Sequence, residues 1–151
     1  MVGLVVKGVK SKTGSKGARR MSLTSLKDGF RTGIQSLDYE HRKLVGVMEA
    51  LCDSFDRAAS AREVSDLFGA LYAKTSAHFA LEESIMREKR YAFYDAHKAD
   101  HERLLDQIRH MMEAYEDGMC ADCGTSLRAC LEAWFAGHVT DADTGLRTLA
   151  E

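Results

Sequence analysis

The sequence predicts an all-α fold, an antiparallel up-down-up-down four-helix bundle with a metal site in its core. Three observations predict it. The 151 residues include no proline and many Ala, Leu, Glu, Lys and Arg, a composition that favours long helices. Apolar residues recur at helical spacing through four segments. Finally, five histidines and two carboxylates (His41, His78, Glu82, His97, His101, His138 and Asp143) form an ordered series along those segments, with 37 residues separating His41 from His78 and again His101 from His138.

The first helix reads from Asp38, where Leu44, Val45, Met48, Leu51 and Phe55 follow His41 on one stripe. The second runs through Val64, Leu67 and Leu71 to His78 on the same face. In the third, Leu105, Ile108, Met112 and Tyr115 follow His101. In the fourth, Leu127, Leu131 and Trp134 lead to His138. Breaks fall near Ser60, at 89–92 and at 118–124. Connections this short join antiparallel neighbours.

The separations also set the depth of the site. A 37-residue excursion with about five residues in the turn leaves arms of about 16 residues, or about 24 Å at helical rise. Both long hairpins therefore return to the same level. Glu82 and His97 are only 15 residues apart, so the site lies toward the end of the bundle that carries the second turn.

The local spacings are H-x3-E at 78–82, H-x3-H at 97–101 and H-x4-D at 138–143. Residues four apart share a helix face, so the first two pairs each aim two groups at one point. Imidazole and carboxylate together suit iron, zinc or manganese rather than magnesium or calcium. Seven ligands exceed the four that one zinc takes and fit two metals. A single histidine on an apolar face is ordinarily a hydrogen-bonded core or rim residue. A glutamate on a core stripe is not, because buried carboxylates are almost always paired or metal-bound. Asp143 lies about 140° past His138 on an ideal helix. A helix end or distortion near Thr140–Gly145 must therefore bring it round.

Bulk properties exclude several function classes. The net charge of −2 and pI near 6.3 argue against a nucleic-acid partner. No apolar run approaches a membrane span, and the opening MVGLVVKGVK lacks the apolar stretch of a signal peptide. The expected location is cytoplasmic. Residues 1–20 hold six Lys/Arg, four Gly and no acid, and read as a basic flexible arm ahead of a bundle domain over 21–151.

The stretches GIQSLDYEHRKLV, HFALEESIM, YDAHKADHERLL and WFAGHVTDADTGL resemble the hemerythrin family, and the long spacings resemble its bacterial branch, the bacteriohemerythrins. The resemblance covers about Gly33 to Leu149 and fills all seven ligand positions. It implies two iron ions in a non-heme di-iron centre. His97, His101 and His138 would hold one iron. His41 and His78 would hold the other, which keeps an open position. Glu82 and Asp143 would bridge, together with an oxo or hydroxo group. The implied activity is reversible dioxygen binding for storage, delivery or sensing, with no catalytic residue. Leu44, Phe79, Leu104, Trp134, Phe135 and Val139 are candidates for an apolar pocket at the open position. The chain departs from the family pattern in LTSLKDGFRTG, which has no Trp, in Ala92 where Pro is common, and in the basic arm.

Two alternatives belong to other classes. A di-iron enzyme reducing peroxide or nitric oxide, or repairing iron centres, would need a polar or acidic group beside the open iron. A metal- or oxygen-responsive interaction module would need a separate protein partner. Four further readings concern residues outside the series. His110 is expected to face solvent, Glu83 to be turned toward the surface, Cys52 and Cys130 to be small core residues, and Cys120 and Cys123 to be loop thiols.

Overall fold

The computed structural model describes residues 31–119, 123–138 and 143–149, with backbone alone for 123–126, 143 and 144. Among the described residues there are four α-helices, α1 (Gln35–Asp56), α2 (Ala61–Glu88), α3 (Tyr94–Glu116) and α4 (Cys123–Gly137), followed by a short 3-10 helix, Asp143–Leu149. α1 packs on α2 and α4, and α3 packs on the same two, which closes an antiparallel bundle. None of the described helices is long and apolar enough to cross a membrane.

Local chemistry fixes the helix ends. Ser60 caps α2 by accepting a bond from the Glu63 backbone N–H at 3.2 Å. The start of α1 is organised from further along the chain. Asp38 accepts from both the backbone N–H and the hydroxyl of Thr32, at 2.7 and 2.8 Å, so α1 begins one turn earlier than the stripe suggested. α1, α2 and α3 all end in the same doubly bonded turn, in which the chain passes through a left-handed residue and two amides return to the last helical turn. Gly118 takes that conformation in α3, but Ala58 and Arg90 take it in α1 and α2, at φ 51° and 54°.

The core is divided. A large apolar cluster runs from Leu44, Val45 and Met48 through Phe68, Phe79, Leu104 and Ile108 to Leu131 and Phe135. A smaller one has, among the described residues, Leu37, Met86 and Leu146 as fully buried members, edged by Ile34, Ile85 and Tyr91. On α1, His41 lies between Leu37 and Leu44, and on α2, Glu82 lies between Phe79 and Met86. The polar layer therefore separates the two clusters and stands near the second turn, at the depth the spacings require. Burying a large apolar side chain contributes about 1.5–3 kcal/mol, so among the described residues most of that stabilisation lies on one side of the layer.

The 3-10 helix, which the apolar pattern did not predict, closes the short end. Its Leu146 is fully buried against Leu37 and Met86. Gly145 lets it approach, because a Cβ there would collide with the Tyr91 hydroxyl.

Candidate metal centre

His41 on α1, His78 and Glu82 on α2, His97 and His101 on α3 and His138 just past α4 are all buried, none more than 6% exposed. They converge on one point in the core. Glu82 is at its centre, and its two oxygens divide the histidines between them. Oε1 lies 2.8 Å from His78 Nε2 and 3.7 Å from His41 Nε2. Oε2 lies 2.9 Å from His101 Nε2, 3.2 Å from His97 Nε2 and 3.7 Å from His138 Nε2. Two donor groups result, His41–His78–Glu82 and Glu82–His97–His101–His138, each compact enough to hold a metal ion.

Elementary helix geometry produces this arrangement. His78 and Glu82, and likewise His97 and His101, are four apart and lie one above the other on their helices. The His41 and His78 rings come within 4.5 Å from adjacent helices. His97, His101 and His138 form a triangle with centroid separations of 4.5, 5.1 and 5.5 Å.

Burial alone would push the Glu82 carboxyl up. The surrounding rings of His101, His138, His41 and His78 outweigh that and hold it well below the usual range. A fully buried carboxylate facing five imidazole nitrogens is a donor set suited to cations, since all six groups offer lone pairs inward when the rings are neutral and carry their proton on Nδ1.

The side chain of Asp143 lies outside the described residues, as does Val139. α4 ends at Gly137 and the 3-10 helix starts at Asp143; residues 139–142 between them lie outside the described residues.

Two carboxylates next to the site were not expected. Glu83 is not turned to the surface: its Oε1 accepts from His101 Nδ1 at 3.0 Å. Asp100 Oδ2 stands 3.7 Å from His138 Nδ1. Contact with the His138 ring, against some burial and aided by Arg103, holds the Asp100 carboxyl below its ordinary range. A usable signal existed, because a histidine that offers Nε2 inward needs a partner for Nδ1, and both acids immediately follow or precede a member of the series.

The apolar surroundings are arranged differently from expectation. Leu44, Phe79 and Phe135 are at most 2% exposed. Phe135 meets His41 edge-on at 5.7 Å. A groove of about 800 Å³ opens instead between α3 and α4, lined by His97, Asp100, Arg103, Leu104, Trp134 and His138. Cys130 is exposed in that groove and is not a core residue, whereas Cys52 is buried. His110 is exposed. Cys120 and the Cys123 side chain lie outside the described residues.

The chain is similar to known proteins. The family model of the hemerythrin HHE cation binding domain matches residues 32–150. A bacteriohemerythrin of Pseudomonas paraeruginosa is 29% identical over 78% of this chain and 75% of its own length. One from Methylococcus capsulatus is 25% identical over 76% and 86%. The myohemerythrin of Sipunculus nudus is 25% identical over 77% and 84%. The crystal structure of a hemerythrin point mutant superposes with a TM-score of 0.67 at 26% identity, covering 76% of this chain and 86% of that one. With its buried histidines and glutamate enclosed by four helices of that form, the chain belongs to the hemerythrin family.

Proposed function

We propose that this protein binds dioxygen reversibly at a non-heme di-iron centre, for oxygen storage, delivery or sensing. The single observation that carries the reading is the division of Glu82: one oxygen faces His41 and His78, the other faces His97, His101 and His138. A carboxylate so placed can be shared between two ions. His97, His101 and His138 would hold one iron and His41 with His78 the other, with Glu82 and Asp143 bridging beside an oxo or hydroxo group.

Iron, when bound, supplies the electrons that dioxygen takes up and returns. The chain supplies position and dryness. Phe135 packs against His41, and Phe79 lies against both groups, 6.0 Å from His78 and 3.8 Å from His101 between ring centroids; both rings are fully buried and leave little room for water. The apolar ring that meets His41 is Phe135, which carries no proton donor. Turnover of peroxide or nitric oxide needs a proton donor beside the reacting position, so these surroundings favour binding over catalysis.

The test is metal analysis together with absorption spectra of the reduced, iron-loaded protein before and after exposure to air. Two irons per chain and a spectrum that appears with air and disappears when oxygen is removed are expected. One zinc per chain, or a change that oxygen removal does not reverse, would overturn the reading.

A further inference from the structure

Two chains of contacts run outward from Glu82 in the same order. In the first, His101 Nε2 faces Glu82 Oε2, His101 Nδ1 donates to Glu83 Oε1 at 3.0 Å, and Glu83 Oε2 meets Lys98 Nζ at 3.5 Å. In the second, His138 Nε2 faces Glu82 Oε2, His138 Nδ1 stands 3.7 Å from Asp100 Oδ2, and Asp100 Oδ1 meets Arg103 Nη2 at 2.5 Å. Each is a series of buried carboxylate, imidazole, outer carboxylate and cation. The first links α2 to α3 and the second links α3 to the end of α4.

We propose that Glu83 and Asp100 are positioning residues for the three-histidine metal position, Glu83 through its hydrogen bond to His101 Nδ1 and Asp100 through its charge 3.7 Å from His138 Nδ1, so that each Nε2 points at the metal, and that each is trimmed in strength by its outer cation.

The chemistry follows from the two edges of imidazole. A neutral ring carries one proton, and the nitrogen that bears it cannot bind a metal. A carboxylate at Nδ1 retains the proton there, which leaves the Nε2 lone pair facing Glu82 and the metal. The same carboxylate draws the proton toward itself and makes Nε2 the stronger donor. Outer partners of this kind are worth about 10–100-fold in metal affinity. Glu83 is well placed for this, being only 13% exposed at its side chain, so its attraction is weakly screened. Lys98 and Arg103 act in the opposite sense. By neutralising the carboxylate from the solvent side, each weakens its pull on the ring.

This inference rests on the di-iron reading, and the experiment separates the two. The full-length chain is loaded with ferrous iron, and affinity is measured by competition with a chelator in the parent, Glu83→Gln, Asp100→Asn, Lys98→Met and Arg103→Met. Glu102→Gln serves as a control, an exposed α3 acid that also pairs with Lys98. Reduction potentials are recorded on the same samples, and histidine nitrogen NMR of the metal-free chains reports which ring nitrogen carries the proton.

Glu83→Gln and Asp100→Asn are expected to weaken iron binding about 10–100-fold and to raise the potential. They should also loosen the Nδ1–H preference of His101 and His138 respectively. Lys98→Met and Arg103→Met should lower the potential. A packing role would not reverse sign between the acid and its cation. Parent-like affinity in both acid variants, or acid and cation variants shifting the potential in the same direction, overturns the proposal while leaving the di-iron reading intact. A parent chain that takes up no iron overturns the di-iron reading itself.

Discussion

The rings of Phe79 and His101 lie face to face, their centroids 3.8 Å apart and their planes 2° from parallel. Phe79 comes from α2 and His101 from α3, so the stack ties together two helices of the bundle. It also completes the confinement of one imidazole. Glu82 meets its Nε2 edge, Glu83 meets its Nδ1 edge and Phe79 covers a face. His101 can then neither rotate nor take water on that face, which is what a preorganised ligand requires.

Replacing Phe79 by Leu keeps an apolar side chain but loses the flat contact. Aromatic pairs contribute about 0.5–1.5 kcal/mol beyond their buried area, so the variant should lose about 1 kcal/mol in a denaturant melt and release iron to a chelator faster. Phe79→Ala adds a cavity and should cost about 3–5 kcal/mol. Melts of Phe79→Leu that match the parent would show that the stack contributes nothing.

Removing metal should loosen one end of the bundle more than the other. The large cluster retains its packing without ions, but Leu37, Met86 and Leu146 form too small a group to hold the short end alone. Metal that joins residues of all four helices should stabilise that end through binding. Hydrogen exchange is expected to rise on metal removal in peptides covering 35–41 and 82–97, and to rise less over 44–52 and 64–75. Equal changes in the two sets would place the linkage elsewhere.

Much of this was legible in the sequence because helical phase and ligand phase coincide. Leu44, Val45, Met48, Leu51, Leu71, Ile108, Leu127 and Leu131, all read off the stripes, are buried. The equal spacings placed the polar layer at the correct depth because rise per residue is fixed. Glu83 was misread for a physical reason. It lies about 100° round α2 from Glu82, a direction that on an isolated helix points to solvent. Here α3 packs against that flank and brings His101 to it. Leu146 was beyond periodicity, since a seven-residue 3-10 helix is too short to show a stripe. Cys130 sits beside the apolar stripe of α4 but faces a groove that no single-helix pattern reveals.

The turn after α1 contains avoidable strain. Ala58 takes a left-handed conformation at φ 51°, which costs a residue with a Cβ about 1–2 kcal/mol. Glycine relieves this at an entropic cost of about 0.5–1 kcal/mol. Ala58→Gly should therefore raise stability by about 0.5 kcal/mol, visible as a higher Tm with unchanged metal content. A lower Tm would mean that the methyl group makes a contact worth more than the strain.

Cys52 gives a pH dependence whose sign can be worked out. Burial, only partly offset by Arg128, pushes its thiol up to about 11 from an ordinary value near 9.0. Below pH 9 the thiol is protonated both folded and unfolded, so it does not affect the balance. Between about 9 and 11 the unfolded chain releases the proton and the folded chain does not, which favours unfolding. Stability should fall as pH rises through that window, and fall less in Cys52→Ala. At pH 8 the Cys52 peptide should resist alkylation until denaturant is added, as read by mass spectrometry. Alkylation of Cys52 in the folded chain at the rate of a free thiol would refute the assignment.

The last prediction separates oxygen binding from turnover, and it depends on Phe135. This ring is 1% exposed and meets His41 edge-on at 5.7 Å, with the planes 89° apart. It is therefore the apolar group best placed to keep proton donors from the two-histidine position. Phe135→Glu puts a carboxyl group into that space, where burial disfavours its charged form and makes it a proton donor. The variant carries both a donor and a strained core, so stability alone cannot interpret it. Phe135→Leu supplies the comparison, with a changed volume but no donor. In stopped-flow spectra of iron-loaded protein mixed with air, the signal of the oxygenated form should decay to the ferric form faster in Phe135→Glu than in either the parent or Phe135→Leu. If both variants decay alike at full iron content, the loss of packing rather than the proton donor governs the rate. If the parent already consumes peroxide or nitric oxide at enzymatic rates, the apolar wall does not prevent turnover, and the enzyme reading replaces the oxygen-binding one.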